Sequence, residues 1–526
     1  MTTPETSPTV ARPAKTRRLS PWRVATAAIV TIAVLTGGAF FAQTWWSEAT
    51  TVTARPWFAG YVDVTATPSY AFEVPANKAS RDVVLSFVVS DADDACTPSW
   101  GSAYTLDEAA TSLDLDRRVA RLEQQGGEAI VSFGGQANDE LATNCTNATD
   151  LENAYSSVVD RYDLTTIDID LEGEALTSAS ASRRAEAIAK VQADQVAADK
   201  SLAVWLTLPV TPAGLTTDGT DAVAAFLAAG VDVTGVNAMT MDYGDSKADL
   251  TMLAATTDAL ESVHRQLGIL YDNAGVTLTD STLWTKIGAT PMIGQNDVAD
   301  EVFTLADAKA LNTWAAEKNL ARMSMWSMNR DATCGPNYTE LTRVSDACSG
   351  VDQGESSYAT ILGKKMTGLP EAGATTKTTS EPVAAEVEDD PATSPYPIWD
   401  ENTTYLAKTK IVWHQNVYEA KWWTKGDLPD NPVLDEYQVS WTLIGPVLPG
   451  ETPAPVVTIP DGTYAEWAGA AVYEKGDRIM YAGIAFEAKW WTQGDSPEAV
   501  SSDPDSSPWT ALTDAQISEV IDGKIG

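Results

Sequence analysis

The chain has 526 residues, more than one ordinary domain holds, and about 150 residues per unit gives three or four. A hydrophobic fraction of 44% and a charged fraction of 21% are globular values, which excludes a wholly disordered protein. Lys+Arg is 35 against Asp+Glu 73, a formal charge of -38, so the surface repels phosphate backbones and nucleic acid is excluded as a partner, whereas a neutral ligand meets no such barrier.

The N-terminus is basic, with Arg12, Lys15, Arg17, Arg18 and Arg23 in residues 1-23. Val24 to Ala42 follow without a charge, long enough to span about 30 Å of hydrocarbon as a helix. Residues 24-43 therefore read as a transmembrane anchor or a signal segment. The basic flank predicts a cytoplasmic start and export of everything after Thr44. Phe40 and Phe41 spoil an A-x-A cleavage pattern, which favours the uncleaved anchor.

Residues 54-366 alternate between strands and amphipathic helices. Strands are expected at Phe58-Val62, Asp82-Val89, Glu128-Phe133, Thr166-Leu171, Leu202-Leu208, Gly235-Met239, Ile287-Met292 and Arg322-Trp326. Helices are expected at Leu151-Tyr162, Ser180-Asp199, Ala222-Ala229 and Leu305-Lys318. Thr149 and Glu152 have capping-box spacing ahead of the first helix. The pattern suits an α/β fold, a (β/α)8 TIM barrel, with a doubly wound sheet as the alternative that periodicity leaves open. The only two histidines are His264 in a helical stretch and His414 far along the chain. A multi-histidine zinc site and a Ser-His-Asp hydrolase are thereby excluded.

The four cysteines lack CxxC spacing. Cys96 follows the second strand and Cys145 the third, while Cys334 and Cys348 share the insertion after the eighth. Disulfides Cys96–Cys145 and Cys334–Cys348 in an oxidising compartment are expected, with four buried thiols as the alternative.

The segment Leu164-Glu174 (LTTIDIDLEGE) carries the chemistry. On a strand, Ile167, Ile169 and Leu171 face one way, and Asp168, Asp170 and Glu172 the other. Same-face neighbours are about 6.6 Å apart, so like charges raise at least one pKa. Glu172, at the C-terminal end of the strand, is placed to be a protonated general acid. A divalent-metal carboxylate cluster and a solvated acidic face are the alternatives; neither metal nor cofactor is expected.

This region resembles the family 18 glycoside hydrolases, the chitinases. Their D-x-x-D-x-D-x-E signature is matched by Thr165-x-x-Asp168-x-Asp170-x-Glu172, with Thr165 in place of the first Asp. VSFGG (Val131-Gly135) is similar to the S-x-G-G strand, and MSMWSM (Met323-Met328) supplies its tryptophan, Trp326. VNAMTMDYG (Val236-Gly244) is similar to the M-x-Y-D segment, with Met241 at the tyrosine position. The resemblance implies substrate-assisted hydrolysis, an exception to the two-carboxylate scheme. Glu172 would protonate the glycosidic oxygen, and Asp170 would orient the substrate's acetamide. Asp168 would share a proton with Asp170. Met239, Asp242, Tyr243, Gln295 and Trp326 would contact the sugar, with Tyr243 a candidate for the displaced hydroxyl. A catalytically silent chitin-binding lectin and an endo-β-N-acetylglucosaminidase are the competing readings.

Residues 367-395 are Pro/Thr/Ala/Glu-rich and read as a flexible linker, as do residues 446-460. EAKWWTKGDLP at 419-429 recurs as EAKWWTQGDSP at 487-497, an offset of 68. Two small all-β modules are expected, at 396-445 and 461-512. They resemble family 5/12 carbohydrate-binding modules, marked by A-K-W-W-T-x-G. That implies binding to chitin or another N-acetylglucosamine polymer through Trp399, Trp422, Trp423, Trp467, Trp490 and Trp491. Strand alternation predicts one exposed and one buried tryptophan per Trp-Trp pair. The whole reads as a monomeric extracellular enzyme, secreted or tethered.

Overall fold

The computed structural model describes residues 55–370, 381, 388–448, 450–453, 459–460, 462–497 and 506–523. The basic segment 1-23, the apolar segment 24-43 and most of the expected 367-395 linker lie outside them. Among the described residues no helix is long and apolar enough to cross a membrane.

Eight parallel strands form the first region. They are β1 (Trp57–Phe58 and Gly60–Asp63), β2 (Val83–Ser90), β3 (Ala129–Gly134), β4 (Thr166–Asp170), β5 (Ala203–Thr211), β6 (Val233–Met239), β7 (Ile287–Thr290) and β8 (Arg322–Met323). Each pairs with its neighbour in chain order, and β1 pairs with β8 on one side and β2 on the other. This is the pairing of a TIM-barrel-type domain, not of a doubly wound sheet. β7 and β8 end earlier than the sequence suggests. Pro291, which has no N–H to donate, follows β7 by one residue.

The helices lie outside: α1 Leu115–Gln124, α2 Ala148–Arg161, α3 Ser178–Ala197, α4 Thr217–Ala228, α5 Met252–Asn273 and α6 Leu305–Lys318. α2 is capped by Asn147, whose side chain accepts from the Thr149 and Asp150 amides, so the expected Thr149–Glu152 box does not form. α4 begins five residues before the expected Ala222, because Thr216 caps it through the Gly219 amide. Ile167, Ile169 and Leu171 pack in the main core between strands and helices, with Val131, Val158 and Ile188.

Cys96–Cys145 and Cys334–Cys348 are both disulfide-bonded. The second closes a sequence separation of 14, which the loop-entropy estimate values at about 3 kcal/mol.

The C-terminal all-β region contains two repeated units. In the first, β9 (Lys410–Trp413), β10 (Asn416–Ala420) and β11 (Trp441–Pro446) surround Tyr405, Ile411, Tyr418, Ala420 and Trp441. In the second, β12 (Arg478–Tyr481), β13 (Ile484–Ala488) and β14 (Trp509–Ala511) surround Tyr473, Ile479, Phe486, Ala488 and Trp509. The five core positions are related by the offset of 68. So are the indole hydrogen bonds, Trp441 Nε1 to Asp427 O and Trp509 Nε1 to Asp495 O, both 2.9 Å.

The first unit is not simply tethered. Arg265 on α5 donates to the carbonyls of Val433 and Leu434 at 2.8 and 2.9 Å, and Leu434 packs against the barrel core. Glu381, inside the expected flexible linker, accepts from Thr282 Oγ1 at 3.0 Å and donates its amide to Thr277 O. The corresponding positions of the second unit are Ser501 and Ser502, which offer no apolar anchor. Arg265→Ala combined with Leu434→Ser is expected to make the 428–436 segment a site of limited proteolysis while leaving hydrogen-exchange protection of β9–β11 intact. Unchanged resistance to proteolysis would show that the contact does not hold the unit.

Candidate active site

The inward face of β4 carries Asp168 and Asp170, with Glu172 just past the strand end. All three backbones follow from alternation, but their surroundings differ sharply. Asp168 is fully buried and accepts four hydrogen bonds. Arg322 Nη1 and Thr207 Oγ1 reach Oδ1 at 2.5 and 2.7 Å. Tyr61 OH and Ser132 Oγ reach Oδ2 at 2.8 and 2.7 Å. None involves Asp170, so the expected shared proton between the two aspartates has no hydrogen bond to travel along.

Asp170 is almost fully buried, and its Oδ1 has no hydrogen-bond partner. Burial, then the Glu172 and Asp168 charges, push its carboxyl well above the usual carboxylate range, against the opposing pull of Arg322. Glu172 is pushed up to about 7, first by burial and then by the negative charges of Asp242 and Asp297. A carboxyl at that value is protonated over much of the neutral range and can serve as a general acid.

Asp170 and Glu172 open into a cleft of about 210 Å³ at the C-terminal ends of the strands, where barrel enzymes place their active sites. Trp326 and Phe87 stack at 5.5 Å with an interplanar angle of 20°, and Tyr61 lies 6.0 Å from the Trp326 ring. Thr207, Met239, Met241, Met292 and Asp242 complete the wall. The S-x-G-G turn is sterically fixed: Gly134 has φ +108°, and a Cβ there would meet Asp170 O at 2.0 Å.

Two expected contacts are displaced. Tyr243 is buried away from the cleft, its hydroxyl donating to Thr256 Oγ1 on α5 at 3.3 Å, and Met241 takes the cleft position instead. Gln295 is also buried; its side-chain amide donates to the carbonyls of Asn296, Val298, Ala299 and Glu301 and so shapes the loop after β7. That loop delivers Asp297 to the cleft. It is laced to the loop after β6, since Asp242 Oδ1 accepts from the Val298 amide at 3.1 Å and Glu301 accepts from the amides of Tyr243 and Gly244. Sequence reasoning missed Tyr61, Phe87, Arg322 and Asp297. Only Arg322 left a trace, a lone cation in an otherwise apolar strand.

In the repeated units the alternation argument fails. Trp490 and Trp491 are both exposed, at 44% and 56%, and Trp422 and Trp423 are both half-exposed. Each pair follows the strand in a bend, where period-two alternation no longer applies. Trp399 and Trp467 are half-buried and pack on the unit cores.

Residues 466–510 match the carbohydrate-binding module family 5/12. Over 290 residues the chain is 36% identical to a probable bifunctional chitinase/lysozyme of Escherichia coli (strain K12), covering 53% of this chain and 31% of that protein. Over 296 residues it is 35% identical to endochitinase 11 of Metarhizium anisopliae, covering 54% of each. The chain thus spans about half, or less, of the length of these curated relatives. Active domain 2 of a chitinase from Pyrococcus furiosus, solved with catalytic-site mutations, aligns with a TM-score of 0.51 and 27% identity over 61% of this chain and 99% of that one. The barrel is thus similar to the catalytic domains of chitinases, and the all-β region that follows includes the match to carbohydrate-binding module family 5/12.

A carboxyl-13C titration of glutamate-labelled protein should show Glu172 with a midpoint near 7. Asp297→Asn removes a neighbouring negative charge, so the charged form of Glu172 becomes easier to reach and the midpoint should fall. A midpoint in the ordinary glutamate range in the unsubstituted protein would refute the protonated-acid assignment.

Proposed function

We propose that this chain is an exported chitinase that hydrolyses β-1,4-linked N-acetylglucosamine polymers with retention, using the substrate's acetamide as nucleophile. The observation that carries the reading is the inward stack on β4. Glu172, raised to about 7, sits beside a buried Asp170 at the mouth of a cleft floored by Trp326 and Phe87.

In this scheme Glu172 gives its proton to the glycosidic oxygen as the bond from C1 breaks. The acetamide oxygen bonds to C1, forming an oxazolinium ion. Asp170 accepts the acetamide N–H as positive charge develops there, in a buried site where such a contact is strong. Water then attacks C1 and loses its proton to Glu172 as the bond from C1 to the acetamide oxygen breaks, which regenerates the acetamide and restores the enzyme. The stacked Trp326–Phe87 platform supports the apolar face of the distorted sugar, and Met239, Met241 and Met292 offer an apolar wall to the acetamide methyl. The match of residues 466–510 and the exposed Trp490–Trp491 pair support binding to the polymer surface. The shared core positions at offset 68 support a second module at 396-445, which would add avidity on an extended surface. The two disulfides support an oxidising, extracellular setting.

Release of soluble oligosaccharides from colloidal chitin tests the reading. Glu172→Gln should reduce it by about 10²–10⁴-fold, whereas Thr165→Ala should be mild. A protein that binds chitin but releases nothing would be a lectin, and the enzyme reading would fail. Trp490→Ala with Trp491→Ala should weaken retention on insoluble chitin by about tenfold or more while sparing hydrolysis of short soluble oligomers. Undiminished retention would remove the pair from the binding surface.

A further inference from the structure

The first repeated unit carries apolar residues of its own at the places where it touches a neighbour. Leu434 packs against the barrel core, and its copy in the second unit is Ser502. Leu406 packs against the core cluster of the second unit, which is Tyr473, Ile479, Phe486, Ala488 and Trp509, and its copy is Glu474. The fold of a single unit does not require a leucine there. The turn that follows Leu406 is closed by the Thr409 amide on Leu406 O at 3.0 Å, and the copy makes the same turn with Asp477 N on Glu474 O at 3.0 Å. An apolar side chain on such a turn gains only by leaving water against a neighbour.

The second unit is built to receive it. Ala471 and Ile484 pack on its core cluster, where the first unit has the polar Thr403 and Asn416. The contact is head-to-tail, and Glu474 gives the second unit no apolar residue with which to repeat it. The first unit is itself held. Arg265 and Leu434 join it to α5, and Asp389 accepts from the amides of His414 and Gln415, at the tip of the β9–β10 hairpin, at 2.8 and 2.6 Å.

We infer that Leu406 locks the second unit onto the first, so that the Trp422–Trp423 and Trp490–Trp491 pairs are carried at one fixed separation and orientation. The partner such an arrangement fits is an ordered array of N-acetylglucosamine chains, a crystalline polymer face, and not a single soluble chain. This rests on the polymer-binding reading above and deepens it. A free linker at 446-460 would let the two pairs sample many separations, and each binding event would have to give up that freedom. The Leu406 contact removes it in advance. The gain is realised only where binding positions recur at a fixed spacing, as in a crystal. An amorphous precipitate offers a loosely tethered pair as many footholds as a locked one, and a short soluble chain engages one pair at a time.

Leu406→Glu gives the first unit the residue that its copy already carries, so the unit should still fold. Spin labels on Thr442→Cys and Thr510→Cys, equivalent exposed positions on β11 and β14, report the separation of the units by double electron–electron resonance. The full chain should give one narrow distance distribution, and Leu406→Glu should broaden it. A broad distribution without the leucine substitution would overturn the lock. Retention on crystalline chitin should fall by about tenfold in Leu406→Glu, with retention on amorphous chitin and hydrolysis of short soluble oligosaccharides unchanged. Equal losses on the crystalline and amorphous forms, or no loss on either, would overturn the choice of partner. If Leu406→Glu unfolds the second unit, seen as lost hydrogen-exchange protection of β12–β14, Leu406→Ala carries the same comparisons. A full-length protein that binds neither form of chitin would refute the polymer-binding reading and the crystalline partner with it, while the distance distribution would still decide whether Leu406 locks the units.

Discussion

A carboxylate and a guanidinium, neither with any exposed side-chain surface, meet at 2.5 Å in the middle of the barrel. Burying such a pair is costly unless every remaining donor and acceptor is met, and breaking it by removing one partner typically costs about 3–5 kcal/mol. The chain surrounds the pair with one polar side chain from each of several strands: Tyr61 from β1, Ser132 from β3, Thr207 from β5 and Asn237 from β6, closing on Arg322 from β8. The network spans the barrel rather than one strand pair. A slip of one residue in any of these strands would turn its polar group outward and an aliphatic one onto the ion pair. The register of the barrel and the electrostatics of the site above it are one constraint.

The rim of the cleft is built on a second scaffold. The loop after β7 carries Asp297, and its start is clamped by the insertion that follows β8. Gln295 donates its amide to Ser349 O at 2.8 Å, immediately beside the disulfide-bonded Cys348, and Arg330 donates to Gln295 O. Gly294 has φ +70°, and a Cβ there would lie 1.9 Å from Ser349 O, so only glycine allows the approach. The disulfide thus braces the acidic rim that faces Glu172, although the cysteines lie well away from the β4 motif in sequence.

The repeated units show the same economy on a smaller scale. Each has too few residues for a large apolar core, and each fills it with tyrosine and tryptophan whose polar ends find backbone partners, as in Tyr405 OH accepting from the Asp400 amide and Tyr473 OH from the Ala468 amide. With those aromatics buried, the Trp-Trp pair that follows the strand is free to be surface. In the first unit the loop seated on α5 carries Val433 and Leu434, where the second unit's sequence has Ser501 and Ser502.

Much of this was legible in the residues themselves. Period-two alternation in β4 was enough to put Ile167, Ile169 and Leu171 outward and the three acids inward, because strand geometry leaves no other choice. The constant offset of 68 was enough to align two sets of core aromatics. Cysteine positions relative to the strands were enough to pair them. What the sequence could not hold was anything assembled from separate elements. Tyr61, Phe87, Arg322 and Asp297 come from four elements spread over some 260 positions, and only closure of the strands brings them to one site. The hydroxyl of Tyr243 was misplaced because a residue just past a strand end is no longer governed by alternation, and the loop's hydrogen bonds to Glu301 turn it toward α5. The Trp-Trp pairs were misjudged for the same reason. Local periodicity determined which way each strand faced; the tertiary structure alone decided which charges neighbour one another, because Coulombic and desolvation effects depend on distance and burial in space, and neither is written in the order of residues.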